Sequence, residues 1–191
     1  MRHRALSSLV VMLVIAATPA WSANKEVKTS GFEESIKKAQ LRVPVTQQDR
    51  DQQKKTASTL LISCVDFRLR HETENLMRSQ LHLLDDYDEV ALPGASLGMV
   101  LVDHPHWRQT LEDIISLVEQ LHQIKQIILL DHRDCGAYKL IKGPEYATST
   151  EAETAIHKQT LLEAKAVLQA KFPAIKVYTM LLGLDGVVDN F

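Results

Sequence analysis

Two short clusters contain the side chains best suited to chemistry in this chain of 191 residues. The first runs from Cys64 to Arg68 (CVDFR) and the second from His132 to Cys135 (HRDC). Thiolate and imidazole groups are ligands that zinc prefers, and three protein ligands leave the fourth tetrahedral position open for water or substrate. Cys64, His132 and Cys135 therefore predict a catalytic zinc (Zn²⁺) site rather than a structural one.

The first residues of the chain have the pattern of an export signal. Arg2 and Arg4 form a basic start, residues 9–17 are uninterruptedly apolar, and Ala20-Trp21-Ser22 supplies small residues around a cleavage point. We expect residues 1–22 to be removed as a signal peptide and the mature protein to be periplasmic or secreted. The apolar run is too short to cross a bilayer as a helix, which argues against stable membrane insertion. An uncleaved membrane anchor is the alternative.

Export gives the two cysteines a second interpretation. They are the only cysteines in the chain, and exported proteins most often join such a pair in a disulfide. A disulfide has no need of Asp66, Arg68 or His132, so these neighbours favour a metal site. The oxidised pair remains the alternative.

Composition predicts one globular domain, because 45% of the residues are apolar and 24% are charged. The formal net charge of -2 offers nothing for a nucleic acid backbone to bind, so a nucleic acid partner is excluded. Residues 23–56 are polar and predict an N-terminal arm, with a short helix over Glu33 to Ala39 or a solvated lead-in. The domain itself is expected over residues 57–191.

Within that domain, apolar runs predict four strands that alternate with amphipathic helices. The strands are expected over 59–63, 87–92, 126–130 and 174–182, and the helices over 71–84, 107–121 and 150–172. This alternation predicts the α/β class, with a parallel sheet covered by helices on both faces. If the strand order is 2-1-3-4, Cys64 and His132 follow adjacent strands and meet at a switch point where such sheets bind ligands.

The motif Cys64-x-Asp66-x-Arg68, followed by His132-x-x-Cys135-Gly136, resembles the signature of the β-class carbonic anhydrases. This resemblance covers the α/β core and implies a zinc enzyme that converts carbon dioxide to bicarbonate. It implies Cys64, His132 and Cys135 as metal ligands and Asp66 with Arg68 as the catalytic pair. It also implies a homodimer or a higher homo-oligomer.

The chemistry of this pair leaves several interpretations open. Asp66 would accept the proton of a hydroxide on zinc and orient its lone pair, while Arg68 holds Asp66 by a charge-assisted contact. Asp66 could instead turn onto the metal when Arg68 does not hold it. An ordinary surface ion pair is the simplest alternative.

The chain also differs from typical members of that family. After the second strand it has Pro93 to Gly98 (PGASLG) in place of an Arg-Asn-x-Ala-Asn-like segment, and Asp131 replaces the usual glycine before the metal histidine. The Pro93 to Gly98 segment either presents backbone N–H groups to the site or is a plain strand-to-helix turn. The plain alternative for Gly136 is a tight backbone turn that lets the next helix begin. Asp131 and Asp134 either orient His132 or are solvated acids.

Three functions therefore compete. The first is hydration of carbon dioxide, and the second keeps the metal but hydrolyses carbonyl sulfide or carbon disulfide. The third is a domain without catalysis, in which the cysteines are oxidised or Asp66 closes the metal site.

Overall fold

A computed structural model describes Glu34, Ile36 and residues 55–191. Glu34 and Ile36 are helical, as predicted for that segment. The whole of the predicted signal peptide and nearly all of the predicted arm lie outside the described residues, so both stay predictions. Residues Gln48–Phe191 form one compact unit, distinct from Met1–Gln47.

The strands form a five-stranded sheet of order β2-β1-β3-β4-β5. Their bounds are β1 Thr59–Ser63, β2 Tyr87–Ala91, β3 Gln126–His132, β4 Lys176–Leu182 and β5 Val188–Asn190. The first four strands are parallel, as predicted. Their pairing, β2 with β1, β1 with β3 and β3 with β4, confirms the predicted order 2-1-3-4. The short β5 was not predicted, and it pairs antiparallel with β4.

Helices connect the strands and cover both faces of the sheet. Numbered within residues 55–191, they are α1 Arg70–Asn75, α2 Leu97–Val100, α3 Pro105–His122, α4 Gly136–Lys142 and α5 Thr150–Lys171. A π-helical turn at Leu76–Gln80 continues α1, and 3₁₀ turns occupy Phe67–Leu69 and Pro144–Ala147. No helix of the described segments is long and apolar enough to span a membrane.

The side chains of β1 show why both faces need a cover. Leu60 and Ile62 pack with one buried cluster, which includes Leu111 of α3 and Leu161 of α5. Leu61 points the other way, into a cluster with Leu69 of the first 3₁₀ turn and Leu76 of the π-helical turn. Successive residues of a strand alternate between faces, so a continuous apolar run requires helices on both sides.

The two long helices begin and end as their sequences indicate. Pro105 occupies the first turn of α3, and Gln123 ends that helix in a left-handed conformation with φ of 61°. The cap of α5 is Ser149, whose side chain accepts a hydrogen bond from the Ala152 N–H at 3.2 Å. The helix itself begins at Thr150, where the sequence predicted its start.

A buried carboxylate joins these two helices. Glu112 of α3 is only 6% exposed and accepts hydrogen bonds from Arg108 Nε at 2.9 Å and from Lys171 Nζ of α5 at 2.6 Å. Burial raises the pKa of Glu112, but the hydrogen bonds from Lys171 and Arg108 lower it by more than burial raises it. The net pKa of Glu112 therefore lies below the usual value.

Replacing this carboxylate should make stability less dependent on pH. A lowered folded-state pKa adds stability above the unfolded pKa of about 4.3, and this contribution is lost as pH falls through the folded-state value. Glu112→Gln should therefore cost about 1–2 kcal/mol of unfolding free energy at pH 7, and less below about pH 4.5. Urea unfolding between pH 7 and pH 3.5 measures this, with Asp113→Asn on the exposed face as the control. An equal loss at every pH would contradict the assignment.

Candidate metal centre

Pairing of β1 with β3 brings the two chemical clusters together. Ile62 is in register with Leu129, so the carboxyl ends of both strands lie at one edge of the sheet. Cys64 follows β1 directly, and His132 is the last residue of β3, two residues beyond the predicted end of that strand. The ligand atoms of Cys64, His132 and Cys135 all lie within 4.8 Å of one another.

The donor atoms of this cluster fit a tetrahedral metal. The two sulfur atoms belong to free cysteines and lie 4.0 Å apart, close to the edge of about 3.8 Å that metal–sulfur bonds of about 2.3 Å produce. His132 is 2% exposed, and its Nδ1 donates a hydrogen bond to the Arg133 carbonyl at 2.8 Å. This leaves the lone pair on Nε2, a buried atom with no hydrogen-bond partner among the described residues. The cluster could therefore hold a metal ion.

The environment of the Cys64 thiol lowers its pKa. A hydrogen bond with Cys135 is the largest cause, burial opposes it, and contacts with His132 and the Gly94 N–H add to it, so the pKa of Cys64 falls to about 4. The same bond and burial raise the pKa of Cys135. Cys64 thus ionises first, while Cys135 keeps the shared proton.

The Gly94 N–H donates to the Cys64 sulfur at 3.3 Å. Gly94 has φ of +73°, and a Cβ at this position would lie 2.5 Å from Leu97 Cδ1, so the turn requires glycine. Of the two interpretations of Pro93 to Gly98, the structure favours the one that presents a backbone N–H to the site. At Gly136, in contrast, an added Cβ would meet nothing within 4 Å, so the surrounding space does not require glycine there.

Asp66 lies on the same side of the cluster as the free His132 nitrogen. Its Oδ2 is 3.8 Å from Nε2 of His132 and accepts a hydrogen bond from Arg68 Nη2 at 2.7 Å. Its Oδ1 accepts from the backbone N–H of Arg68 at 3.0 Å and from Nε at 3.1 Å. Hydrogen bonds from Arg68 lower the pKa of Asp66 to about 2, so the carboxylate is ionised. Arg68 thus holds Asp66 here.

A second acid braces Arg68, and the sequence interpretation missed it. Asp134 Oδ2 accepts from Arg68 Nη1 at 2.8 Å, and the Asp134 carbonyl accepts from Nη2 at 3.0 Å. Lys139 pairs with the same carboxylate, and the Asp134 N–H donates to Glu153 Oε1 at 2.6 Å. In the sequence, only the position of Asp134 inside the second motif could have indicated its contact with Arg68. Glu153 lies on a separate helix, and nothing in the sequence indicated its contact with Asp134.

Neither Asp131 nor Asp134 accepts a hydrogen bond from the His132 ring, because the Arg133 carbonyl accepts the Nδ1 proton. The prediction that these acids either orient His132 or are solvated was wrong for Asp131, which is 1% exposed. Its carboxylate instead accepts hydrogen bonds from Ser96, Tyr138 and His157.

Comparison with known proteins agrees with this geometry. Residues 53–189 match the model of a family described as "Putative carbonic anhydrase". An uncharacterized protein of Rickettsia bellii is 55% identical over 134 residues, which cover 70% of this chain and 81% of that protein. The uncharacterized protein RC0076 of Rickettsia conorii is 54% identical over 134 residues, covering 70% and 72% of the two chains.

Solved structures with similarity to the chain are more distant. One of two tetrameric β-carbonic anhydrases from Sordaria macrospora is 15% identical, with a TM-score of 0.48 and coverage of 72% of this chain and 82% of that one. The apo form of a carbon disulfide hydrolase is 16% identical, with a TM-score of 0.42 and coverage of 69% and 76%. On the match over residues 53–189, the chain belongs to the carbonic anhydrase family that this model describes.

Proposed function

We propose that the protein is a zinc-dependent carbonic anhydrase that converts carbon dioxide and water reversibly to bicarbonate and a proton. One observation carries the proposal: an ionised Asp66, held by Arg68, lies 3.8 Å from the unpartnered His132 nitrogen of a Cys64–His132–Cys135 cluster. A structural metal site has no use for a charged acid held beside its ligands. The family of the chain supports the same proposal.

Cys64, His132 and Cys135 would hold the metal. Two sulfur donors and one imidazole select zinc over magnesium or calcium, which prefer oxygen ligands. When bound, zinc acts as a Lewis acid that lowers the pKa of water from about 15.7 to about 7 and so supplies a nucleophile near neutral pH. The buried His132 and Cys135 exclude water from the inner side of the cluster, so the reaction takes place on the side of Asp66.

Asp66 would orient the reacting oxygen. An ionised carboxylate can only accept hydrogen bonds, so a reacting water or hydroxide beside it would donate a hydrogen bond to Oδ2 and keep its own proton. Its lone pair would then point away from Asp66, toward carbon dioxide. Arg68 fixes both oxygens of Asp66 through three of its N–H groups. Asp134 in turn fixes Arg68, so the orienting carboxylate cannot swing freely.

Metal content tests the ligand set. The purified protein should contain one zinc per chain, and Cys135→Ser and His132→Ala should each lose most of it because each removes one of three protein ligands. His122→Ala provides the matched control, since His122 is half-exposed and pairs with Asp88. Elemental analysis measures all four proteins. Full zinc occupancy in Cys135→Ser would contradict the assigned ligands.

Stopped-flow hydration of carbon dioxide tests the reaction. Asp66→Asn should keep zinc yet lose about 10²–10⁴-fold in kcat/KM, because an amide cannot accept the proton and hold the oxygen in the same way. Arg68→Lys should lose less, since a lysine keeps the charge but not the fork of donors. Asp113→Asn should retain the full rate. Sulfide release from carbon disulfide without carbon dioxide hydration would replace this proposal with the hydrolase alternative.

A further inference from the structure

One buried carboxylate is linked to the segments of His132 and Cys135 and, through the Gly94 segment, to Cys64. Asp131 precedes His132 in β3, and its side chain is fully buried. Its Oδ1 accepts the Ser96 N–H at 3.0 Å, and its Oδ2 accepts Ser96 Oγ at 2.7 Å, Tyr138 OH at 2.5 Å and His157 Nδ1 at 3.0 Å. Four donors on one carboxylate satisfy a charge that would otherwise be costly to bury.

The side chains that donate to Asp131 are all buried and contact one another. Ser96, Tyr138 and His157 are each fully buried. Ser96 Oγ and Tyr138 OH also lie 3.0 Å apart, and the rings of Tyr138 and His157 pack with centroids 3.9 Å apart. Burial and the charge of Asp131 raise the pKa of Tyr138 well above its usual value, so the phenol keeps its proton and donates. These contacts join the four side chains into one buried network.

Two of the donors, Ser96 and Tyr138, lie close to ligands of the cluster, and the backbone joins Asp131 to the third ligand. Ser96 lies two residues after Gly94, whose N–H donates to the Cys64 sulfur. Tyr138 lies in the first turn of α4, three residues after Cys135, which is the N-cap of that helix. His132 is joined to Asp131 by a peptide bond. The carboxylate therefore restrains the three ligand segments at once.

From these contacts we infer that Asp131 is a positioning residue that sets the geometry of the Cys64–His132–Cys135 cluster through Ser96 and Tyr138. The inference rests on the proposed metal-binding function and extends it to residues outside both motifs. His157 supports the carboxylate from α5, so the helix on one face of the sheet also contributes to the site. A glycine at position 131 could not make these contacts, because it has no side chain.

Metal binding by full-length variants tests the inference. Asp131→Asn should weaken the Kd for zinc by about 10- to 100-fold, the usual effect of losing an outer partner of a metal ligand. It should also alter the thiolate-to-cobalt charge-transfer band when Co²⁺ is the probe, because that band depends on the geometry around the sulfur atoms. Ser96→Ala and Tyr138→Phe each remove one neutral donor and should weaken zinc binding by about three- to tenfold. Chelator competition gives the Kd values.

The control separates positioning from general stability. Glu112→Gln removes a buried carboxylate that lies between α3 and α5, so it should lower the unfolding temperature while leaving the zinc Kd within about twofold of the unaltered protein. If Asp131→Asn folds with an unchanged Kd and an unchanged cobalt spectrum, the inference is wrong. It is equally wrong if Glu112→Gln weakens zinc as much as Asp131→Asn does. Should Asp131→Asn not fold, unchanged zinc binding in both Ser96→Ala and Tyr138→Phe overturns it.

The outcomes also separate this inference from the proposed reaction. Failure of the unaltered protein to bind either Zn²⁺ or Co²⁺ would overturn the metal site and the positioning role together. Normal zinc binding without carbon dioxide hydration would overturn the reaction alone and leave the role of Asp131 intact.

Discussion

Pairing of β1 with β3 is the constraint on which the site depends. His132 lies 68 positions after Cys64 along the chain, and the parallel register of these two central strands reduces that separation to a few ångströms. Parallel pairing requires crossover helices, and those helices bury both faces of the apolar strands. The same interactions that stabilise the core therefore bring two sulfur atoms and one imidazole to a single edge of the sheet.

Around this edge, polar residues form two layers with different tasks. On the exposed side, Asp66 and Arg68 are joined to Asp134, whose carboxylate and carbonyl both accept bonds from the guanidinium. On the buried side, Asp131 collects donors from the loop after β2, from α4 and from α5. The exposed layer faces the reactants and can exchange bonds with water, whereas the buried layer has no water to replace a lost partner. The buried contacts therefore hold the metal ligands in place, and the exposed residues act on the reactants.

The sequence was sufficient for the sheet order, for the parallel strands and for the convergence of Cys64 with His132, because apolar periodicity and motif placement are local signals. The bounds of β1 were predicted to the residue. The prediction missed β5, since a strand of three residues has too little pattern to detect. It also could not assign Asp131, because the partners Ser96, Tyr138 and His157 come from three separate segments that only the folded chain unites.

Zinc X-ray absorption of the purified protein tests the central claim most directly, because it reports which atoms surround the metal. The account predicts two sulfur scatterers at about 2.3 Å and an imidazole nitrogen at about 2.0–2.1 Å, with one further light atom completing four-coordination. A zinc shell made only of oxygen and nitrogen would contradict it. So would a metal-free protein in which Cys64 and Cys135 are joined as a disulfide.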